Sequence, residues 1–349
     1  MYVYLGGVMS YQPQLIIDMD IVSDNIKLLA QDKKPCLMVK ASQYHVLENI
    51  KPLVDLGYDF FGVSTLGEAQ LILNNFDVDV LIVTPIVFED MVSFNHPRLH
   101  FSVVDIETLK QVTNQFKVHL NFDTGMGRIG FKPEMVSQVI ELVKQRDLHL
   151  EGLYTHFPCA SDQIYTLGQI DLFKTIIDRF NEAVIHPTYI HCQNSLGAIL
   201  YNVEFCNMVR PGIGIWGYGA NLEEAELTPI KPALKLTAPI SFIKDYQGLI
   251  GYDHLDQVDG IIATIKLGYN DGLDRRLRGY DFKPGKIVGN VCMCQTMLEV
   301  PNKDISSITI FEENSIYVLC KYINCSVYEL LCGLSYRIKR VIKGGAWHD

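Results

Sequence analysis

Lys40 stands at the end of an apolar run, where its amine is well placed for chemistry. The run is Cys36-Leu-Met-Val-Lys40, and the residues that follow include Tyr44 and His45. Such a run predicts a buried strand, and burial lowers the pKa of a lysine because desolvation penalises the ammonium. An amine of this kind can attack a carbonyl group or transfer a proton near neutral pH. On position alone, a surface lysine that extends its charge into water remains the alternative.

Other strand-like runs also end in candidate binding segments. Asn121-Phe-Asp-Thr-Gly-Met-Gly-Arg-Ile-Gly-Phe131 combines three glycines with Arg128, which suits a tight loop over a ligand, although a structural turn with a surface arginine is equally compatible. His156 stands at another strand end, where a structural hydrogen-bonding role is the alternative to catalysis.

A phosphate site is a further candidate. His191-Cys-Gln-Asn-Ser195 and Arg210-Pro-Gly-Ile213 follow two late strands, and loops at this position of a barrel often bind phosphate through backbone N–H groups and a hydroxyl. Helix capping would also account for Ser195. The candidates for this site are Ser195, Gly212 and Ile213.

The elements that must position these residues alternate between strands and amphipathic helices up to about residue 220. Predicted strands cover 15–19, 36–40, 60–64, 80–84, 100–104, 118–122, 150–155, 189–192 and 208–210. Predicted helices cover 21–31, 65–74, 106–115, 132–146 and 172–183. Repeated strand and helix units predict an α/β fold, namely a (β/α)8 TIM-type barrel over residues 1–230. An open doubly wound sheet is the alternative, but no G-x-G-x-x-G turn follows the first strand.

The pattern changes after about residue 230 to strands separated by tight turns. Predicted strands cover 236–243, 260–267, 285–291, 296–300, 307–311 and 316–319, with helical periodicity near 326–332. We therefore expect a C-terminal, mainly antiparallel β domain over residues 231–349. On local context alone, its Tyr252 and Tyr336 would be packing residues.

Composition narrows the class of protein. The 349 residues are 48% hydrophobic and carry a net charge of −10, which argues against nucleic-acid and anionic-membrane partners. The nine cysteines show no disulfide rhythm, and the short apolar start lacks the basic region of a signal peptide. A C-x-C pair at Cys292 and Cys294 is weak support for a metal, and we expect none. These features predict a cytoplasmic enzyme.

Taken in order, the segments resemble the alanine racemase family, over nearly the whole chain. The family patterns are matched or echoed by Val39-Lys-Ala-Ser-Gln-Tyr-His45, Asp123-Thr-Gly-Met-Gly-Arg-Ile-Gly-Phe131, Thr155-His-Phe157, His191-Cys-Gln-Asn-Ser195, Arg210-Pro-Gly-Ile213 and Gly268-Tyr-Asn-Asp-Gly272. The resemblance implies an isomerase that uses pyridoxal 5'-phosphate to interconvert L- and D-alanine and so supplies D-alanine for cell-wall peptidoglycan. It also implies a homodimer with active sites shared between subunits.

The resemblance further implies roles for single residues. Lys40 would hold the cofactor as a Schiff base and act as the base on one face of the substrate, while Tyr252 of the second subunit would act on the opposite face. Arg210 would hydrogen-bond the pyridine nitrogen, and His156 would support Arg210 and Tyr252. The remaining assignments are a phosphate site formed by Tyr44, Ser195, Gly212, Ile213 and Tyr336, and substrate contacts from Arg128 and Met293.

Two positions depart from the family pattern. Asn121 replaces the usual lysine, which is often carbamylated, and a bound chloride near Asn121 and Arg128 is our hypothesis for what orients Arg128 instead. Cys294 replaces the usual aspartate, so serine or a larger amino acid is an alternative substrate. A basic-amino-acid decarboxylase with the same cofactor and a non-catalytic cofactor-binding regulatory protein are the alternative functions.

Overall fold

The computed structural model describes residues 12–41 and 47–344, and the chain divides into two compact units. One unit comprises residues 21–219 and 223–231. The other comprises the chain up to residue 20, residues 220–222 and the chain from residue 232 onward. Tyr44, with its predicted phosphate role, lies outside the described residues. Within the described ranges, no helix has the length and apolar character needed to cross a membrane.

The first strand, β1 (Gln14–Asp18), is not part of the barrel in which the sequence interpretation placed it. It pairs antiparallel with residues 234–237 and parallel with residues 339–343, so it belongs to the unit that contains the end of the chain. Leu15 and Ile17 are buried while their neighbours are half-buried. This alternation is typical of a two-faced sheet, whereas parallel barrel strands are usually buried throughout.

The unit of residues 21–219 contains a closed parallel barrel, as the sequence predicts. Its strands are β2 (Lys34–Pro35), β3 (Leu37–Met38), β4 (Phe60–Val63), β5 (Asp79–Ile82), β6 (Leu99–Val103), β7 (Lys117–Asn121), β8 (Gly152–Tyr154), β9 (Tyr189–His191) and β10 (Met208–Val209). From β3 to β9, neighbours in the chain are neighbours in the sheet. The ring closes because β2 pairs in parallel with β10, and Asn207 N–H donates to Ile190 O at 3.1 Å.

Helices alternate with the barrel strands along the chain. They are α1 (Met19–Ala30), α2 (Leu47–Asp55), α3 (Leu66–Leu73), α4 (Phe88–Ser93), α5 (Ile106–Gln111), α6 (Val136–Gln145), α7 (Gln163–Glu182), α8 (Ser195–Leu200) and α9 (Leu222–Glu226). Local sequence explains where several begin, since the side chains of Thr65, Asp105 and Asp162 accept backbone N–H groups at the starts of α3, α5 and α7.

The barrel interior is packed and contains both apolar and polar side chains. An apolar cluster consists of Cys36, Met38, Phe60, Leu81 and Met208. Three histidines on the barrel strands are also buried: His100, His119 and His191. Buried polar groups require hydrogen-bond partners, so these histidines need an explanation of their own.

The second unit is mainly antiparallel, as predicted. Its further strands are β11 (Leu234–Ile250), β12 (Asp256–Ile265), β13 (Lys286–Ile287), β14 (Thr296–Val300), β15 (Ser307–Glu312) and β16 (Lys339–Lys343). The sheet order is β13-β14-β12-β11-β1-β16, with β15 also paired to β11. Only the pairing of β1 with β16 is parallel among those that the described strands form in this sheet.

One predicted strand of this unit is wrong. Residues 316–319 lie in a helix, α10 (Ser315–Ile323), whose buried residues include Ile316, Leu319 and Cys320 at helical spacing. A short apolar run does not distinguish a strand from a buried helix by periodicity, which explains the error. The helix predicted near 326–332 is present as α11 (Val327–Gly333).

Candidate active site

Lys40 follows β3 at the carboxyl end of the barrel strands and is half-buried. The segment before it is held in the barrel, because Val39 N–H donates to Gly62 O at 2.9 Å. The segment after it is held by Glu68 of α3, whose Oε1 accepts from Ala41 N–H at 3.0 Å. Ala41 has a φ of 73°, a left-handed conformation that is unfavourable for alanine, and the bond from Glu68 helps to hold it there.

Arg210 follows β10 and is buried, with 4% of its surface exposed. Its Nη1 lies 2.5 Å from His191 Nδ1, and its Nη2 donates to Thr155 O at 2.7 Å. The guanidinium carbon lies 5.0 Å from the centre of the Tyr154 ring. Burial lowers the pKa of Arg210 from its ordinary value, but an arginine remains charged under such a shift. The barrel therefore contains a cation fixed in orientation by several acceptors.

His156 lies beside this cation, with its Nδ1 3.4 Å from Arg210 Nη2. Burial, together with the positive charges of Arg210, Arg128 and Lys40, lowers the pKa of His156 to about 3. The imidazole is therefore neutral at physiological pH. Because Arg210 can only donate, Nδ1 of His156 accepts and the ring proton is on Nε2. The charges of Lys40, Arg128 and Arg210 thus act on His156. All four residues were predicted from sequence to belong to the site.

Ser195 forms a cradle with the backbone after Arg210. Its Oγ accepts from Gly212 N–H at 2.9 Å and from Gly214 N–H at 3.1 Å, which leaves its own proton available to donate to an anion. A Cβ on Gly214 would lie 2.8 Å from Ser195 Cβ, so the close approach requires glycine. Capping does not explain Ser195, because the cap of α8 is Asn194, whose Oδ1 accepts from Gly197 N–H. Ile213 begins the 3-10 turn beside the cradle.

The glycine-rich loop after β7 is a tight turn that carries Arg128 in an exposed position. Asp123 Oδ1 accepts from the N–H groups of Gly125 and Gly127, each at 3.0 Å. Gly130 has a φ of 125°, and a Cβ there would lie 2.8 Å from Asp123 N. The glycines and Asp123 therefore form a structural turn, which is one of the two alternatives that the sequence left open. The same turn sets the position of Arg128.

Asn121, at the end of β7, is buried and lies opposite Tyr154 of β8 in the strand register. Tyr154 in turn stacks on the His191 ring, with 4.9 Å between ring centres. The charge of Arg128 acts on Tyr154 as well. Asn121 therefore lies beside the Tyr154 ring, which packs against both His191 and Arg210.

In the second unit, three predicted site residues are large and exposed: Tyr252 by 71%, Met293 by 58% and Tyr336 by 77%. Tyr252 lies in the turn between β11 and β12, where Gly251, Asp253 and His254 all have positive φ values. Two non-glycine residues in this conformation are costly, about 1 kcal/mol or more each. The turn is strained and exposes the tyrosine.

The motif Gly268-Tyr-Asn-Asp-Gly272 positions the Met293 segment within this unit. Tyr269 N–H donates to Cys292 O at 3.0 Å, and Asn270 N–H donates to Met293 O at 2.9 Å. A Cβ on Gly268 would lie 2.3 Å from Cys292 O, so only glycine allows the contact. Cys294 Sγ lies 3.7 Å from Nη1 of Arg337, so that thiol has a cationic neighbour.

Sequence reasoning missed Glu68 and the interior histidines. The T-x-x-E pattern of Thr65 and Glu68 is a capping-box signal and could have drawn attention to Glu68. His100 and His119 lie on strands in which polar and apolar residues alternate, which is the pattern of polar side chains directed into a barrel.

The fold and site place the chain among the two-unit enzymes in which a (β/α)8 barrel with a strand-end lysine is joined to an antiparallel β unit. The family model described as "Alanine racemase, N-terminal domain" matches residues 17–220, and "Alanine racemase, C-terminal domain" matches residues 233–342. The chain belongs to the alanine racemase family, a family of isomerases. The family and fold predicted from sequence are confirmed.

Individual relatives agree over nearly the full length. The chain is 28% identical to an alanine racemase of Macrococcus caseolyticus, with 95% of this chain and 94% of the relative covered. It is 29% identical to one of Staphylococcus saprophyticus, with 93% of each covered. The structure resembles an alanine racemase from Bacillus anthracis that has L-Ala-P bound, with a TM-score of 0.86, 25% identity and coverage of 98% and 97%. An enzyme from E. faecalis gives a TM-score of 0.84 at 27% identity, with coverage of 96% and 99%.

Proposed function

We propose that this protein is a cytoplasmic racemase that uses pyridoxal 5'-phosphate to interconvert L- and D-alanine, and that it supplies D-alanine for peptidoglycan. The observation that carries the proposal is the grouping of Lys40, Arg128 and Arg210 about the neutral His156 at one end of the barrel. Membership in the alanine racemase family supports the reaction and the substrate.

The residues present fit the proposed cofactor. We propose that the Ser195 hydroxyl and the N–H groups of Ile213 and of Gly212, which also donates to Ser195 Oγ, bind its phosphate, together with Tyr44 and Tyr336. Arg210 would donate to the pyridine nitrogen and, unlike a carboxylate, would keep that nitrogen unprotonated. Lys40 would hold the cofactor covalently. When bound, the cofactor stabilises the negative charge that develops at Cα of the amino acid.

Proton transfer requires a base on each face of Cα, because a racemase removes a proton from one side and returns it to the other. We assign Lys40 to one face and Tyr252 of a second subunit to the opposite face. We propose that the Nε2 proton of His156 is donated to the Tyr252 oxygen of that subunit and so helps the tyrosine to act as a base. The exposure of Tyr252 on a single chain supports a homodimer in which another subunit covers it.

Arg128 and the Met293 backbone are the proposed contacts of the substrate carboxylate. Because Asn121 is neutral, we propose that a chloride bridges Asn121 and Arg128 and orients the guanidinium. Crystals grown with bromide should show anomalous density between these two side chains. Wild-type crystals without a peak there would contradict the chloride, while an Asn121→Lys variant provides the control in which the peak should disappear.

The direct test of function is formation of D-alanine from L-alanine by the wild-type holoenzyme. Alanine is the proposed substrate, and serine or a larger amino acid is the alternative, because Cys294 removes a negative charge. A panel of L-amino acids should therefore be assayed on wild type and Cys294→Asp. Identical profiles would contradict a selectivity role for Cys294. Racemisation of no amino acid at all would contradict the proposed function.

The two other candidates predict different results in the same assay. A decarboxylase would release carbon dioxide, and a regulatory protein would bind the cofactor without changing any amino acid. Arg210 argues against the decarboxylase, since enzymes of that class prefer an acid at the ring nitrogen. The presence of both candidate bases, Lys40 and Tyr252, argues against the regulatory protein.

A further inference from the structure

A continuous chain of hydrogen bonds crosses the barrel interior from Asp79 to Arg210. Asp79 Oδ1 lies 3.4 Å from His100 Nε2, and His100 Nδ1 lies 3.1 Å from His119 Nε2. His119 Nδ1 lies 2.8 Å from His191 Nε2, and His191 Nδ1 lies 2.5 Å from Arg210 Nη1. The chain, which we call the histidine chain, joins an acidic end on β5 to the arginine after β10.

A glycine, Gly152, leaves the space that the histidine chain needs. His119 is on β7 and His191 is on β9, so β8 lies between them. Gly152 of β8 is paired with both His119 and Tyr189. A Cβ on Gly152 would lie 2.2 Å from His119 Nδ1, the atom that contacts His191. Glycine at this position is therefore required for the two imidazoles to meet.

All three histidines are buried, and His119 and His191 are neutral. His100 is 1% exposed, and His119 and His191 are both 0% exposed. Burial lowers the pKa of His119 and of His191 well below its ordinary value, and the nearby charge of Arg210 lowers both further. The distances of 3.1 and 2.8 Å between ring nitrogens of neighbouring histidines are those of hydrogen bonds.

The direction of the bonds in the histidine chain is set from both of its ends, and it can be followed from Arg210. A guanidinium only donates, so His191 Nδ1 accepts and its proton is on Nε2. That proton is donated to His119 Nδ1, which places the His119 proton on Nε2 facing His100 Nδ1. The His100 proton is then on Nε2 and is donated to Asp79. A carboxylate only accepts, so both ends of the chain select the same arrangement.

We propose that Asp79 is a positioning residue for the active site, which acts through the histidine chain by fixing all three imidazoles as Nε2–H tautomers and so holding a lone pair of His191 against Arg210. The inference rests on the proposed function, because its consequence is that Arg210 keeps its orientation toward the ring nitrogen. In the reversed arrangement, a His191 Nδ1–H would face an Arg210 N–H, and both donors would lose their partner. That loss is costly in a buried site.

Asp79 keeps its charge for this role. Burial tends to raise the pKa of its carboxyl, but the hydrogen bond from His100 and the charges of Lys117 and Arg98 outweigh burial and hold the pKa below its ordinary value. Arg98 Nη1 lies 3.4 Å from Asp79 Oδ2, and Lys117 Nζ lies 3.8 Å from Oδ1. The side chain is 22% exposed, so a substitution here is less disruptive than one inside the barrel.

The decisive variant is Asp79→Asn, because an amide of the same shape can either accept from His100 or donate to it. The control is Asp77→Asn, which removes a carboxylate that also pairs with Arg98 but has an 85% exposed side chain outside the histidine chain. His100→Phe is a second variant, which interrupts the chain and keeps an aromatic ring beside Phe60. Each protein is labelled with 15N-histidine and examined by NMR with and without cofactor.

We expect wild type and Asp77→Asn to show His100, His119 and His191 as Nε2–H tautomers with slowly exchanging protons. In Asp79→Asn the 15N shifts of His119 and His191 should move as well as that of His100, and the racemase rate of the holoenzyme should fall about three- to tenfold, as expected for a weakened buried network. In His100→Phe the shifts of His119 and His191 should move further in the same direction.

Two results would overturn the inference. One is an Nδ1–H tautomer or an imidazolium at His119 or His191 in wild type. The other is a change in Asp79→Asn confined to His100, together with an unchanged rate. The NMR measurement needs no substrate, so it is independent of the proposed reaction. A protein with the expected tautomers that racemises nothing would contradict the proposed function and leave the chain of bonds established.

Discussion

A Tyr252→Phe variant should lose racemisation by roughly 10²- to 10⁴-fold, the usual effect of removing a general base, yet should still exchange the α-proton of one alanine enantiomer with solvent deuterium. Lys40 remains on its face of the substrate in this variant, so the enantiomer whose proton points toward Lys40 can still lose it and regain deuterium from the same side. The measurement is proton NMR of L-alanine and D-alanine incubated separately in deuterium oxide.

The complementary change and a matched control complete this experiment. Lys40→Ala should lose both the visible absorbance of the covalently attached cofactor and proton exchange with either enantiomer. Tyr246→Phe should behave as wild type, because Tyr246 is on the same hairpin and its hydroxyl donates to Leu249 O at 2.7 Å. Full racemase activity in Tyr252→Phe, or exchange lost equally for both enantiomers, would remove Tyr252 from the mechanism.

The residues that follow strands were the part of the site that sequence could reveal. Lys40, His156, Ser195 and Arg210 each follow a barrel strand within four residues, and the carboxyl ends of parallel strands meet at one end of a barrel. Local sequence therefore determines their common location. The hydrogen bonds that make His156 an acceptor from Arg210 depend on side-chain positions in three dimensions, and no local pattern contains them.

Long-range pairing was the part that sequence could not reveal. The strand β1 was recognised, but its partners lie more than 200 residues away in the chain, so its place in the second unit could not be inferred. For the apolar run in α10, the sequence indicated that the residues are buried but did not indicate that they form a helix. In both cases the residue types indicate burial, while the pairing of the strand and the conformation of the apolar run depend on the rest of the fold.

The interior histidines show the same limit within the site. His119 is followed two residues later by Asn121, and alternate residues of a barrel strand point to the same side. That spacing could have indicated two polar side chains inside the barrel. Their connection to Arg210 required the positions of His191 and Gly152 on two further strands.

An Arg210→Lys variant should be destabilised by about 2 to 4 kcal/mol and should bind pyridoxal phosphate about ten- to a hundredfold more weakly. The planar guanidinium donates to His191 Nδ1 and Thr155 O from two different nitrogens. A lysine ammonium is a compact charge that does not reproduce this fork, so at least one buried acceptor loses its partner and a buried cation is less well compensated.

Two measurements separate the parts of this prediction. Urea unfolding without cofactor reports the loss of the protein's own hydrogen bonds, and a cofactor titration followed by absorbance reports the contact with the ring nitrogen. Arg146→Lys is the matched control, because Arg146 is in the same unit and donates from Nε to Val112 O at 3.1 Å on the surface of the barrel. Unchanged stability in Arg210→Lys would contradict the network described here. Reduced stability with an unchanged affinity for pyridoxal phosphate would mean that Arg210 stabilises the barrel but does not contact the cofactor.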